Sequence, residues 1–126
     1  MFLRFTLLDT DRESGRKRGV LVAAHQLRDS DELSTDEHRV LHEALLWFNQ
    51  NLHVPACLRL PENRRALSWF KSDAKAPLRR MWALVEIIKA HGFLVELHKT
   101  RTPGRVIYED GWQVVARPVR GRRTGW

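Results

Sequence analysis

Four basic residues near the end of the chain are the best candidates for binding chemistry. Lys99 and Arg101 precede a turn predicted at 102–104, and Arg105 follows it. If the strands on either side form a hairpin, these side chains gather at one end of a sheet, where Arg117 joins them. Lys and Arg attract phosphate groups whatever the base sequence. The pattern predicts a nucleic-acid-binding surface, or one for another polyanion, and a solvated basic face is the alternative explanation.

An acidic loop predicted directly after the first strand offers a second kind of chemistry. The Asp9-Thr10-Asp11 order resembles the motif of the haloacid-dehalogenase phosphatases, in which the first Asp is the nucleophile and the second the acid. That motif has Thr or Val two residues after the second Asp, where Glu13 stands. A calcium loop would also use alternating oxygens, but Ser14 occupies the position at which its sharp turn needs glycine. A small metal-dependent hydrolase and a structural polar loop both stay open.

Two histidines four residues apart form another pattern typical of a metal site. His38 and His42 would point the same way from one helix, which is the spacing of a two-histidine metal face. The catalytic version has Glu directly after the first histidine, and Arg39 stands there. We therefore expect surface histidines, assign no metal ligand and no cofactor, and keep a metal site as the alternative.

Tryptophan side chains could stack on nucleic-acid bases beside the basic residues. Trp82 and Trp47 fall at positions typical of the buried face of a helix. Trp69 and Trp112 are the candidates for exposure. Aromatic residues at such spacings predict core packing more often than a binding platform.

Composition describes an ordinary globular chain with a basic excess. Its 126 residues are about one domain, 43% are apolar, 29% are charged, and the net charge is +7. Acids are concentrated at 29–43 and bases at 59–80. The acidic segment or an open sheet edge predicts a protein partner or a homo-oligomer as the alternative function.

Location is predicted from three features of the sequence. No apolar run approaches the ~20 residues of a membrane span, so we expect no membrane contact. The segment 1–5 does not look like the start of a secretion signal. The single cysteine, Cys57, is predicted to be a buried, inert thiol, and its lack of a disulfide partner favours the cytoplasm.

The elements that must position these residues follow from local patterns. Ser34 and Glu37 form a predicted capping box at a helix start, Gly92 ends another helix that begins around Asp73, and Asp110-Gly111 predicts a two-residue hairpin. Strands are predicted at 2–8, 93–98, 105–109 and 112–116, helices at 19–28, 34–51 and 73–91, a loop at 9–18, and either a turn or a strand at 66–71.

The fold class is α+β: about three helices on one face of a mostly antiparallel sheet of about four strands, in the order β-α-α-α-β-β-β. We predict a single domain over 1–118 and a basic disordered tail at 119–126.

One segment of the sequence, near the end of the chain, resembles a group of known bacterial sequences. The run Val106–Ala116, V-I-Y-E-D-G-W-Q-V-V-A, together with 28–29, 47–49 and 69–71, is similar to a group of short uncharacterised bacterial proteins that have no established activity. The Y-E-D-x-x-Q-V-V-A pattern is its most specific part, and the similarity stops before the basic tail. The resemblance implies a bacterial, cytoplasmic, single-domain protein and assigns no catalytic residue. The charge distribution, not the resemblance, favours a nonenzymatic binding role.

Overall fold

The computed structural model describes residues 1–10 and 17–119, and it confirms the α+β class with three helices. The sheet has six strands rather than about four, and every pairing whose register is defined is antiparallel. The strands are β1 (Phe2–Thr10), β2 (Lys17–Gly19), β3 (Leu67–Lys71), β4 (Val95–Thr100), β5 (Arg105–Glu109) and β6 (Gln113–Arg117). The helices are α1 (Val20–Arg28), α2 (Thr35–Asn51) and α3 (Lys75–Ala90).

Two strands were not part of the predicted order. β2 occupies the end of the segment predicted as a loop, and β3 resolves the ambiguous segment at 66–71 as a strand. Three residues are too few to carry a period-2 pattern, so β2 is defined by its pairing with β1 rather than by its own sequence. The segment predicted as a tail at 119–126 lies outside the described residues after Val119.

The chain divides into two compact units. The first, called the sheet unit, comprises Met1–Arg4, Val54–Ala74 and the chain from Lys99 onward. The second, called the helical unit, comprises Phe5–His53 and Lys75–His98. Strand β1 contributes its first residues to the sheet unit and the rest to the helical unit.

In the sheet unit, β6 is the central strand between β3 and β5. Leu67 of β3 pairs with Ala116, and Val106 of β5 pairs with the same residue from the other side. Four consecutive residues of β6, from Gln113 to Ala116, are buried, which means that both of its faces are covered. The start of β1 extends the sheet beyond β3 through the pair Phe2 and Lys71.

The helical unit buries one face of each helix in a common core. The fully buried members are large aliphatic residues, among them Val20, Leu41, Leu84 and Ile88. The buried hydroxyl of Thr6 is satisfied because it lies 2.8 Å from His98 Nε2 on β4. β4 begins at Val95 rather than at Phe93, and Leu97 on this strand is 36% exposed.

Helix ends follow the predicted chemistry. At the start of α2, the Glu37 backbone N–H donates to Ser34 Oγ at 3.1 Å, and the Ser34 backbone N–H donates to Glu37 Oε1 at 3.0 Å, which confirms the capping box. After α3, Gly92 has φ +88°, and Phe93 N–H reaches back to the Ile88 carbonyl at 3.4 Å, as in a Schellman motif. α3 itself begins at Lys75, two residues after the predicted cap at Asp73.

A second glycine is required by close packing. Gly104 has φ +119°, and a Cβ added to it would lie 2.2 Å from the Arg117 carbonyl oxygen. Gly111, in contrast, has no positive φ, and nothing lies within 4 Å of its Cβ position.

We expect three Gly→Ala variants to differ in stability in a set order. Gly104→Ala should lower the free energy of unfolding by at least about 2 kcal/mol, because a left-handed backbone and a backbone clash combine. Gly92→Ala should lower it by about 1 kcal/mol through strain alone, and Gly111→Ala should change it by less than about 0.5 kcal/mol. Urea denaturation measures all three, and a Gly104→Ala protein as stable as Gly111→Ala would contradict the close approach to Arg117.

Candidate nucleic-acid interface

The four predicted cations all lie in the sheet unit and are exposed. Lys99 is near the end of β4, Arg101 lies in the following turn, Arg105 begins β5 and Arg117 ends β6. The turn between β4 and β5 is held by the Thr102 backbone N–H, which donates to Thr100 Oγ1 at 3.1 Å. The hairpin on which the predicted cluster depended does not form, because β4 pairs with β1 and β5 pairs with β6. The four residues share the sheet unit through the chain from Lys99 onward.

Two of the arginines lie directly opposite each other on neighbouring strands. Arg105 and Arg117 are direct partners in the pairing of β5 with β6. Like charges directly opposite on neighbouring strands destabilise a sheet. None of the four cations forms an ion pair with any residue that the structure describes. The sheet therefore carries an electrostatic cost at this end that no described acid offsets.

Strand register adds a cation that the sequence did not assign to this surface. Leu67 pairs with Ala116, so β3 begins at the end of the sheet at which β6 finishes. Arg65 is exposed and lies two residues before Leu67, which places it at the same end as Arg117. The sequence showed a base-rich stretch there, but only the pairing of β3 with β6 connects it to the turn. We call Arg65, Lys99, Arg101, Arg105 and Arg117 the basic end.

At the other end of the hairpin, a half-buried hydrogen-bond cluster surrounds Asp110. Its carboxylate accepts from the backbone N–H of Trp112 at 2.9 Å and from that of Gln113 at 3.0 Å. It also accepts from Tyr108 Oη at 2.8 Å and from Gln113 Nε2 at 3.2 Å. Burial alone would raise the pKa of Asp110, but these four donors outweigh it and hold the pKa below its ordinary value.

This cluster changes how the hairpin closes. The Asp110 backbone N–H donates to the Gln113 carbonyl at 3.0 Å, so the two loop residues are Gly111 and Trp112 rather than the predicted Asp110 and Gly111. The predicted turn relied on a positive φ at glycine, which Gly111 does not have. Instead, the Asp110 side chain closes the turn by accepting hydrogen bonds from the backbone N–H groups of the residues that follow it, Trp112 and Gln113.

The most specific sequence run has a structural explanation. In the pattern Y-E-D-x-x-Q, Tyr108 and Gln113 both donate to Asp110, and Glu109 pairs with Lys71 Nζ at 2.7 Å. The hydrogen bond to Asp110 is the main reason that the pKa of Tyr108 is raised. Each polar residue of the pattern thus holds the hairpin, and the acids at this end are engaged by partners within the sheet unit.

The candidates for metal or hydrolytic chemistry are not assembled into a described site. Asp11 and Glu13 lie outside the described residues, as does the side chain of Asp9. His38 and His42 are exposed on α2, with their rings stacked 6.0 Å apart, which confirms their surface position. Within 1–10 and 17–119, no three His, Cys, Asp or Glu residues are grouped as a metal site would require. Cys57, predicted to be buried, is only half-buried.

The tryptophans are arranged differently from the prediction. Trp69, predicted to be exposed, is 8% exposed on β3, and Trp112 is half-buried. Trp82, predicted to be buried, is 47% exposed. The indole of Trp47 is covered by Arg80, whose guanidinium carbon lies 4.1 Å from the ring centroid. The prediction for Trp82 was wrong because the neighbouring residue, Met81, occupies the core position on α3.

Comparisons with known proteins identify no relative. No protein-family description matches the chain, and no curated protein or solved structure matches it. Among the described helices, none combines the length and apolar character that crossing a membrane would need.

We expect Asp110→Asn to destabilise the protein by about 1–3 kcal/mol at pH 7, because the amide places a donor against groups that already donate. The pKa of Asp110 is lower in the folded protein than in the unfolded chain. Its contribution is therefore present above the unfolded pKa, about 4, and is lost as the pH falls through the folded pKa. Urea denaturation should show the two proteins converging as the pH falls below about 4.

The matched control for this comparison is Glu109→Gln, which removes one partner of a solvent-exposed ion pair. It should cost less than about 1 kcal/mol at pH 7. A difference between Asp110→Asn and the parent that stays constant from pH 7 to pH 3 would contradict the assignment.

We expect Arg105→Gln to stabilise the fold by up to about 0.5 kcal/mol at low salt, because it removes the opposed charge. The gain should vanish in about 1 M salt, where charges are screened within roughly 3 Å. Arg39→Gln removes the same charge from ion pairs with Asp36 and Glu43, and should give no gain. Thermal denaturation at both salt concentrations measures the effect, and equal changes in both variants would show that Arg117 is not opposed to Arg105.

Proposed function

We propose that this protein is a nonenzymatic binding module that contacts nucleic acid, or another polyanion, through the basic end. The observation that carries the proposal is the pair of opposed arginines, Arg105 and Arg117, with no described acid beside them. A phosphate between two such side chains offsets their repulsion and gains a charge-assisted hydrogen bond from each guanidinium. The repulsion between the two arginines therefore destabilises the free protein, and a bound phosphate removes this destabilisation.

The distribution of charge within the sheet unit supports the same interpretation. The acids of the β5–β6 hairpin, Glu109 and Asp110, lie at its opposite end. Glu109 is paired with Lys71, and Asp110 accepts four hydrogen bonds. Their charge therefore competes little with a phosphate at the basic end. The five cations offer contacts to the phosphate backbone, which position a nucleic acid without reading its sequence.

Binding of this kind has a defined salt dependence. If all five residues of the basic end contact phosphates, log K should fall with log salt with a slope of about −3.5 for a single strand and about −4.5 for a duplex. Affinity in the range typical of nonspecific binding, about 10⁻⁴–10⁻⁶ M at physiological salt, is expected.

The test is fluorescence anisotropy with a labelled oligonucleotide of mixed sequence, titrated at several salt concentrations. We expect Arg105→Gln/Arg117→Gln to weaken binding at low salt and to reduce the magnitude of the salt slope by about 1 for each lost contact. Arg39→Gln, which removes a charge from α2, is the matched control and should leave the slope unchanged. No binding by the parent protein at low salt, or equal losses in both variants, would overturn the proposal.

A protein-interaction module is the alternative function. β5 is an edge strand of the sheet, and its pairing with β6 shifts register between Val106 and Tyr108. Such an irregularity twists an edge away from strand addition, so this edge does not favour a strand-swapped homo-oligomer. Light scattering across a concentration series checks the point, since a stable dimer would favour the alternative.

A further inference from the structure

One face of α3 carries an exposed row of charged side chains with a tryptophan in the middle. The row repeats at helical spacing, with steps of four, three, four and three residues, so its members line one side of the helix. All five are exposed: Lys75, Arg79, Trp82, Glu86 and Lys89. We call these residues the α3 row.

Trp82 is the unusual member of the α3 row. Its side chain is 47% exposed, whereas the neighbouring Met81 is 3% exposed and belongs to the core. The Trp82 ring makes an edge-to-face contact with the ring of Phe5, with centroids 5.0 Å apart and an interplanar angle of 88°. Phe5 is itself 3% exposed. Trp82 is therefore anchored to the core of the helical unit through Phe5 while about half of its surface stays exposed.

Cations lie on both sides of this ring along the helix. At 1.5 Å per residue, Arg79 is about 5 Å from Trp82 along the helix axis, and Lys89 is about 10 Å away in the opposite direction. Lys75 lies one further turn beyond Arg79. No member of the α3 row forms an ion pair with a residue that the structure describes. Three bases and one acid leave the row with a net positive charge.

We propose that the α3 row binds single-stranded nucleic acid, with one base stacked on Trp82 and the flanking phosphates on Arg79 and Lys89. An aromatic platform between cations is the combination by which proteins bind single strands, because every base has a face that can stack. A ring already held by Phe5 loses little freedom when a base covers it. This goes beyond binding at the basic end, since it is a different surface with a different chemistry.

The composition of the α3 row favours a single strand over a duplex or a lipid surface. A paired base within a duplex has its faces covered by its neighbours, so Trp82 could reach one only by unstacking it. A helix that lies on a membrane needs a free apolar face. The apolar face of α3 is used in the core through Met81, Leu84, Val85 and Ile88, and the exposed row has one apolar member beside the acid Glu86.

The experiment compares oligothymidine with an abasic strand of the same length, which has the phosphates and lacks the bases. We expect Trp82→Leu to weaken binding of oligothymidine about tenfold, because stacking contributes roughly 1–3 kcal/mol per base. Trp82→Phe should lose less, since it keeps an aromatic face. Binding of the abasic strand should be the same for the parent and both variants, which a general loss of fold would not produce.

Charge variants provide a second, independent readout. Arg79→Gln should reduce the magnitude of the salt slope by about 1. Glu86→Gln removes the one acid of the row and should strengthen binding of oligothymidine severalfold at low salt. Thermal midpoints of all variants establish that they are folded at the temperature of the assay.

The outcomes separate this site from the basic end. Trp82→Leu with unchanged affinity for oligothymidine overturns the α3 proposal, whatever Arg105→Gln/Arg117→Gln does. Loss of abasic-strand binding in Arg105→Gln/Arg117→Gln, with full sensitivity of oligothymidine to Trp82, supports both sites. Binding to vesicles of anionic phospholipid that depends on Trp82, without binding to oligothymidine, overturns the α3 proposal in favour of a membrane surface.

Discussion

The hydrogen-bond cluster at Asp110 is the constraint on which the sheet unit depends. Four donors converge on one carboxylate and close the turn between β5 and β6 in a single register. That register, together with the shift between Val106 and Tyr108, places Arg105 opposite Arg117 at the far end of the hairpin. A slip of one residue would turn each side chain of β6 to the other face, and the packing on both covered faces of this central strand would be disrupted. The hydrogen bonds at one end and the register shift in β5 together maintain the repulsive charge pair at the other end.

The helical unit holds its exposed surface in place by a different means. α2 and α3 each have a local signal at one end, the Ser34 capping box and Gly92, and their buried faces pack into one core. Once the aliphatic residues of α3 are placed in that core, its remaining side is a charged row that includes Trp82. The Phe5 ring below Trp82 gives this exposed aromatic residue a defined orientation. Core packing therefore determines which side chains α3 presents to solvent.

Much of the fold was predictable because its signals are local. A capping box lies within four residues, a glycine stop lies within one turn, and β5 was predicted over the residues it occupies. Elements defined by distant partners were harder to predict. β2 has three residues and exists through its pairing with β1, and β3 carries too short a pattern to distinguish a strand from a turn. Within the candidate site, Lys99, Arg101 and Arg105 could be grouped because one turn connects them, whereas Arg65 joins them only through the register of β3.

The sequence by itself determined the α+β class, the three helices, the capping box of α2, the glycine that ends α3, and the hairpin of β5 with β6. The helix-end signals and the presence of the hairpin follow from backbone chemistry over a few neighbouring residues. Only the tertiary structure decided that Trp69 is buried and Trp82 exposed, that Arg105 opposes Arg117, and that Asp110 closes its turn through a side chain. The physical reason is that burial and strand register depend on residues far apart in the chain. A helical spacing pattern gives the period of the buried face, but the packing partners decide which residues occupy it.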